Sequence, residues 1–131
     1  MNQFAPTRAR VPALFVSHGA PLFAIEVGST GPALTHWGAG LRARHPDLQG
    51  VVIMSPHWTA DFAHVMTGLQ PATWHAFGGF PPALYELQYP AAGSPALAQD
   101  VLNLLHAAGV AAQGDAARPF DHGAWVPLMH L

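Results

Sequence analysis

Two histidines occupy matching places in the sequence, each at the end of a short apolar run. His18 directly follows PALFVS, residues 12–17, and His57 follows GVVIMS, residues 50–55, after one intervening proline. Ligands of open α/β sheets bind beyond the carboxyl ends of the strands. If the two runs form neighbouring strands, both imidazoles lie on one rim, close enough to share a metal ion. The alternative is that each histidine only caps its strand by bonding to the backbone.

A third histidine, His122, lies in the sequence FDHG at residues 120–123. Because imidazole titrates near neutral pH, His122 is a candidate for holding or transferring a proton. The neighbouring Asp121 is placed to orient that imidazole, although adjacent side chains point apart as often as together. An ordinary loop histidine is the alternative interpretation.

The sequence WHAFGGFP places four rings around a Gly-Gly pair, namely Trp74, His75, Phe77 and Phe80. Substrate pockets are lined mainly by apolar and aromatic side chains, so these four are candidate substrate-binding residues. They lie in a long loop region, residues 70–93, and a loop of that length in a compact domain usually serves a function. The alternative is an apolar loop that packs on the sheet.

The composition excludes several kinds of chemistry. The chain has 131 residues, including nine histidines, and contains neither cysteine nor lysine. It therefore has no disulfide, no thiolate metal ligand and no Schiff-base anchor for pyridoxal phosphate. The net charge of -2 offers no basic surface for nucleic acid or for an anionic membrane. The histidines, with the carboxylates, are the candidate metal ligands.

The expected location and partners follow from the same composition. No apolar run approaches the ~20 residues of a membrane-spanning helix. The first residues, MNQFAPTRAR, lack the apolar core of a secretory signal. We therefore expect a cytoplasmic protein that acts on a small molecule, without nucleic-acid or membrane partners. Assembly into a homo-oligomer is left open.

Alternating strands and helices are predicted along the chain. Pro95 suits a first helical position, Ser94 can cap that helix, and Gly109 can end it. The predicted strands cover residues 12–17, 50–55, 63–69 and 110–113; the predicted helices cover residues 32–45 and 94–109, with a short helix starting at Pro81 and Pro82. This order predicts an α/β fold with a largely parallel sheet. Residues 1–10 are expected to form a loose leader, and residues 1–131 the N-terminal part of one longer catalytic domain.

Four segments, in this order, resemble one known family. They are PALFVSHGAP at residues 12–21, VVIMSPHW at 51–58, HAFGGFPPALYELQYPAAGSPALA at 75–98 and PFDHGAW at 119–125. Together they are similar to the class III extradiol ring-cleavage dioxygenases, in the branch of the 4,5-DOPA dioxygenases. The similarity extends through nearly all of residues 12–131.

The resemblance implies a non-haem metal enzyme that opens a catechol ring, such as that of DOPA, beside its two hydroxyl groups with O₂. His18 and His57 match the first two metal ligands of the family. His122 matches a position near the substrate, where it orients the substrate or moves protons. The implied metal is Fe(II) for catalysis, with Zn(II) as another metal that this branch holds. The implied fold is a three-layer α/β/α sandwich.

The family takes its remaining metal ligand from the second half of a chain about twice as long. The resemblance therefore places the third ligand outside these 131 residues. Two other functions stay open. One is a non-catalytic relative that acts as a binding module. The other is a zinc-dependent hydrolase that uses metal-bound water and needs a general base, for which Glu26 is the nearest glutamate.

Overall fold

The computed structural model describes residues 10–131, so the predicted leader lies outside the described residues except for Arg10. The elements are, in chain order, a 3-10 helix at Pro21–Ala24, α1 at Thr30–Arg44, β1 at Ala63–Met66, α2 at Pro82–Glu86, α3 at Pro95–Ala107, β2 at Ala112–Asp115 and α4 at His122–Leu128. The three predicted helices are thereby confirmed as α1, α2 and α3. None of the described helices combines the length and apolar character that crossing a membrane requires.

β1 and β2 form a two-stranded parallel sheet, in which Ala63 pairs with Ala112 and Met66 pairs with Asp115. The connection between the two strands passes through α3, which packs against both of them. Parallel strands need such a crossover, because a tight hairpin can join only antiparallel strands. The predicted α/β class with parallel pairing is confirmed, in a small open sheet of two strands.

α3 begins where the sequence predicts, because the residues at its start favour a helix N-terminus. The Ser94 hydroxyl accepts a hydrogen bond from the backbone N–H of Leu97 at 3.3 Å. Pro95 occupies the first turn, where its missing N–H costs nothing because that position has no helical partner. The cap satisfies one of the backbone donors that every helix leaves free at its start.

The way α3 ends explains why β2 starts later in the chain than predicted. Gly109 has a positive φ of 74°, and its N–H bonds to the carbonyl of His106. The N–H of Val110 reaches back to the carbonyl of Leu105, which completes a glycine-based helix cap. Because Val110 belongs to this turn, β2 begins at Ala112 and not at residue 110 as predicted.

The predicted strands at residues 12–17 and 50–55 are wrong for this structure. Neither segment has regular secondary structure, and no backbone hydrogen bond joins either one to another part of the chain that the structure describes. Phe15 is 100% exposed and Met54 is 93% exposed. A groove of about 760 Å³ is lined both by residues 49–55 and by β1. A strand needs a partner for its backbone groups, and apolar composition alone does not supply one.

The core lies beneath α4. Trp125 and Val126 of this helix and Leu84 of α2 are fully buried, and α4 packs against the 3-10 helix. The indole N–H of Trp125 donates a hydrogen bond to the carbonyl of Trp74 at 3.1 Å. Burial of large apolar side chains is the main stabilising contribution to folding. It anchors α4, and with it His122 in the first turn, against the rest of the chain.

Replacing Ser94 with Ala removes the side-chain acceptor at the start of α3. We expect the free energy of unfolding to fall by about 1 kcal/mol, because the N–H of Leu97 loses its partner. Urea denaturation followed by circular dichroism measures this change. Ser94→Asp keeps an acceptor oxygen and should stay within about 0.5 kcal/mol of the parent chain. An equal loss in both variants would contradict the capping role.

Candidate metal centre

Three imidazoles from distant parts of the sequence meet near the start of α4. Ring nitrogen atoms of His18, His57 and His122 all lie within 4.8 Å of one another. The Nε2 atoms of His18 and His57 are 2.9 Å apart, and the ring centroids of His57 and His122 are 4.1 Å apart. The predicted proximity of His18 and His57 is therefore observed, although neither residue follows a regular strand.

A glycine turn presents His18. Gly19 has a φ of 66°, in the left-handed region that glycine adopts at little cost. Its N–H donates a hydrogen bond to the Ser17 hydroxyl at 3.3 Å. A Cβ at Gly19 would lie 3.0 Å from the Cβ of Phe23 in the 3-10 helix. The turn thus requires glycine both for its conformation and for the close approach of Phe23.

A serine hydroxyl organises the backbone before His57. Ser55 Oγ accepts a hydrogen bond from the N–H of His57 at 3.1 Å and donates one to Asp121 Oδ1 at 2.5 Å. Pro56, between them, has its φ restricted by the pyrrolidine ring. The His57 side chain itself is exposed, so its ring is accessible to a ligand.

Helix α4 carries His122 in its first turn. Asp121 caps the helix by accepting a hydrogen bond from the N–H of Gly123 at 3.0 Å. His122 is buried, and its Nδ1 has no hydrogen-bond partner among residues 10–131. Buried polar atoms are normally paired. His122 is therefore a ring with unused bonding capacity inside the cluster.

Gly123 allows α4 to approach the segment that carries His57. A Cβ at this position would lie 2.7 Å from both Cδ2 of His57 and Oγ of Ser55, and 2.9 Å from Cδ of Pro56. Such separations are too short for non-bonded heavy atoms, so a side chain here would push His57 away from His122. The sequence analysis missed this role of the glycine in FDHG.

Burial and neighbouring groups set the charges in the site. Desolvation lowers the pKa of His122 below its usual value, and the nearby His57 lowers it further, against the opposing effect of Asp121. For Asp121, burial alone raises the pKa, but hydrogen bonds from Ser55 and Arg118 and the charge of Arg118 outweigh it and lower the pKa overall. The two shifts therefore favour the neutral form of His122 and the ionised form of Asp121.

The donor set fits a metal ion. Imidazole nitrogen binds Zn(II) at about 2.0–2.1 Å, so two such ligands of one ion lie about 2.9–3.4 Å apart, depending on the angle between them. The 2.9 Å separation of the Nε2 atoms of His18 and His57 falls in this span. Within residues 10–131 the cluster that can hold an ion consists of histidines without a carboxylate. Neutral nitrogen donors of this kind suit Fe, Zn, Cu and Ni.

Three of the four predicted substrate-binding residues are connected to the cluster. Phe77 meets His122 edge-on, with ring centroids 5.6 Å apart. Phe80 contacts Phe77 at 5.4 Å, and His75 contacts Phe77 at 5.8 Å. Nε2 of His75 lies 2.9 Å from the carbonyl oxygen of Leu87. This bond fixes His75 beside Phe77. We call the rings of His75, Phe77 and Phe80 the aromatic wall. Phe77 is the member of this wall that contacts the histidine cluster.

Trp74, the fourth predicted residue, contacts a different group. The Arg118 guanidinium lies 5.1 Å from the ring centroid of Trp74 and 4.6 Å from that of Trp58. Arg118 also forms an ion pair with Asp121 at 2.8 Å. The sequence analysis missed Ser55, whose partner Asp121 is 66 residues away. It also missed Arg118, which is three residues from Asp121 but contacts two Trp rings that are distant along the chain. The one available signal for Ser55 was that a serine ends both apolar runs.

Three further histidines in the described part of the chain lie outside the cluster. Nε2 of His130 lies 3.1 Å from the carbonyl oxygen of Phe23, and Nε2 of His106 lies 2.8 Å from that of Ala112. His45 is buried at the end of α1. These positions fit packing roles, and the histidines that the structure brings together are His18, His57 and His122.

Comparison with known proteins shows which family the chain belongs to. Residues 12–131 match the family described as the catalytic LigB subunit of aromatic ring-opening dioxygenase. The chain belongs to this family. The resemblance drawn from the four sequence segments is thereby confirmed, and all three clustered histidines lie within the matched residues.

Individual relatives of this LigB-family chain are similar along most of its length. It is 40% identical to the 4,5-DOPA dioxygenase extradiol of Escherichia coli over 122 residues, which cover 93% of this chain and 43% of that protein. Proteins of the same name from Beta vulgaris and Portulaca grandiflora are 37% and 35% identical, over 88% and 87% of this chain and 43% and 42% of their own. The chain thus spans less than half the length of these relatives.

Metal titration of the His57→Ala variant tests the cluster. We expect the parent chain to bind one Zn(II) ion, or one Fe(II) ion without oxygen. The variant should bind either ion more than ~100-fold more weakly. Loss of a residue that only hydrogen-bonds to a metal ligand weakens metal binding about 10–100-fold, and loss of the ligand itself costs more. His36→Ala, at an exposed position of α1, is the matched control and should bind like the parent. Full metal content in His57→Ala would contradict the assignment.

Proposed function

We propose that this chain carries metal- and substrate-binding residues of an extradiol dioxygenase, which opens a catechol-type ring with O₂ at a non-haem metal. The observation that carries the proposal is the 2.9 Å separation of the Nε2 atoms of His18 and His57, in a chain of the LigB family. Fe(II) is the proposed catalytic metal, and Zn(II) is the other ion that the same nitrogen donors suit. A DOPA-like catechol is the proposed substrate, after the names of the relatives.

His18 and His57 are the proposed metal ligands. When bound, the metal ion supplies Lewis acidity that favours the deprotonated catechol and a site where O₂ and the ring are brought together. His57 is exposed and His18 is half-buried, so both rings are reachable from solvent. The two histidines leave the remaining coordination positions for a further ligand and for substrate.

His122 is proposed to orient the catechol and to hold a proton from it. Its lowered pKa favours the neutral ring, and a neutral imidazole can accept a proton. Nδ1 is buried, which leaves Nε2 as the nitrogen for a substrate hydroxyl. Because the ring lies against His57, a catechol beside the metal ligands is within reach of this imidazole.

The aromatic wall is proposed to bind the flat face or edge of the catechol ring. Phe77 has the central place, since it contacts His122 directly, while Phe80 and His75 hold Phe77 by edge contacts. Aromatic pairs prefer such edge-to-face geometry. Trp74 is proposed to act at the rim of this wall, where its ring meets Arg118.

Oxygen uptake tests the function. The chain is loaded anaerobically with Fe(II), mixed with DOPA and then exposed to O₂; we expect oxygen consumption together with a ring-opened product that contains both oxygen atoms. His122→Gln should retain bound iron but turn over about 10²–10⁴-fold more slowly, since it removes a proton-transfer group. His36→Gln is the control and should match the parent.

Three results would contradict the proposal. Bound iron without oxygen uptake would favour a non-catalytic binding module. Turnover of His122→Gln at the parental rate would remove His122 from the mechanism. Hydrolysis of an ester by the Zn(II)-loaded chain in the absence of O₂ would favour the hydrolase instead.

A further inference from the structure

We propose that Asp121 is a positioning residue, which acts through Ser55 to hold His57 against His122. The inference rests on the proposed metal centre. It adds that the Asp121 carboxylate positions two of the histidines of that centre, His57 and His122. Asp121 contacts neither a metal nor a substrate in this proposal. Its effect is on where the two imidazoles lie.

The carboxylate of Asp121 is buried and uses both oxygens. The residue is 2% exposed. Oδ1 accepts hydrogen bonds from Ser55 Oγ at 2.5 Å and from the Gly123 N–H at 3.0 Å, and Oδ2 accepts one from Arg118 at 2.8 Å. A buried charge is tolerated only when it is paired and hydrogen-bonded. The paired carboxylate is therefore held in one place.

These bonds form a continuous link between the two histidine-bearing segments. The N–H of His57 donates to Ser55 Oγ, the Ser55 hydroxyl donates to Asp121, and Asp121 accepts from the N–H of Gly123. One end of the link is thus the backbone of His57, and the other is the residue after His122. Because Ser55 and Asp121 are 66 residues apart, the link is a long-range constraint.

Arg118 adds a second connection at the same point. Its guanidinium pairs with Asp121 and lies 4.6 Å from the ring centroid of Trp58, the residue that follows His57. Cation–π contacts of this kind are favourable when the cation is shielded from water. The segment around His57 is therefore tied to Asp121 on both sides, through Ser55 and through Trp58.

The arrangement differs from the role that adjacency in FDHG predicts. If Asp121 oriented the adjacent imidazole directly, one of its carboxylate oxygens would accept a hydrogen bond from the His122 ring. Here the oxygens bond to Ser55, Gly123 and Arg118, and Nδ1 of His122 has no partner among residues 10–131. Asp121 therefore places both rings through the backbone.

The decisive variant is Ser55→Ala, because it cuts the link and leaves the cap of α4 intact. Asp121→Ala cuts the link as well, but it also removes the cap and leaves Arg118 unpaired, so it serves as a second variant if it folds. Ser94→Ala is the matched control, since it removes a serine hydroxyl that caps α3 and takes no part in the link.

The first measurement uses the metal-free chain. The ring proton on Cδ2 of His57 lies close to the α-protons of Gly123, because a Cβ there would be 2.7 Å from that carbon. The parent chain and Ser94→Ala should show a nuclear Overhauser effect between these protons. Ser55→Ala should lose it while the circular dichroism spectrum of the fold is retained.

The second measurement is Zn(II) affinity. Ser55→Ala should bind about 10–100-fold more weakly than the parent, as expected when an outer partner of a ligand is lost, whereas Ser94→Ala should stay within about twofold. An unchanged Overhauser effect in Ser55→Ala would overturn the positioning role, whatever the metal affinity. If the effect is present in the parent and lost in Ser55→Ala, but the parent chain binds no metal, the positioning role stands and the proposed metal function is overturned.

Discussion

The buried carboxylate of Asp121 is the constraint on which the site depends. It receives a hydroxyl, a backbone N–H and a guanidinium, and these donors come from the segment before His57, from α4 and from the loop before α4. Burying a charge costs several kcal/mol unless its partners compensate. Here every partner belongs to a part of the chain that carries or flanks a site histidine. The same contacts that make burial of the charge tolerable also bring the imidazoles together.

Packing beneath the site complements this constraint. Trp125 is fully buried in α4, and its ring lies 5.6 Å from that of His75 and 6.4 Å from that of Phe77. Phe77 in turn meets His122. Aromatic rings are rigid and pack in defined orientations. The core therefore continues directly into the aromatic wall.

Two apolar segments stand apart from this packed region. Residues 12–17 and 50–55 lead into His18 and His57, yet the structure forms no strand from either. Their exposed side chains, Phe15 and Met54 among them, contrast with the buried, hydrogen-bonded carboxylate of Asp121. The histidines are thus held by the turns that follow these segments, at Gly19 and at Ser55. The chain spans less than half the length of the relatives it resembles, and within the described residues the site is assembled by its turns and by α4.

The sequence by itself determined what depends on neighbouring residues. The cap at Ser94, the end of α3 at Gly109 and the histidines placed after apolar runs are all local patterns, and their free energies arise within a few residues. The four segments likewise identified the LigB family. Only the tertiary structure decided which distant groups meet. Examples are the hydrogen bond from Ser55 to Asp121 and the contact of Arg118 with Trp74. The tertiary structure also decided that the apolar segments would not be strands, because a strand depends on a partner that its own residues do not specify.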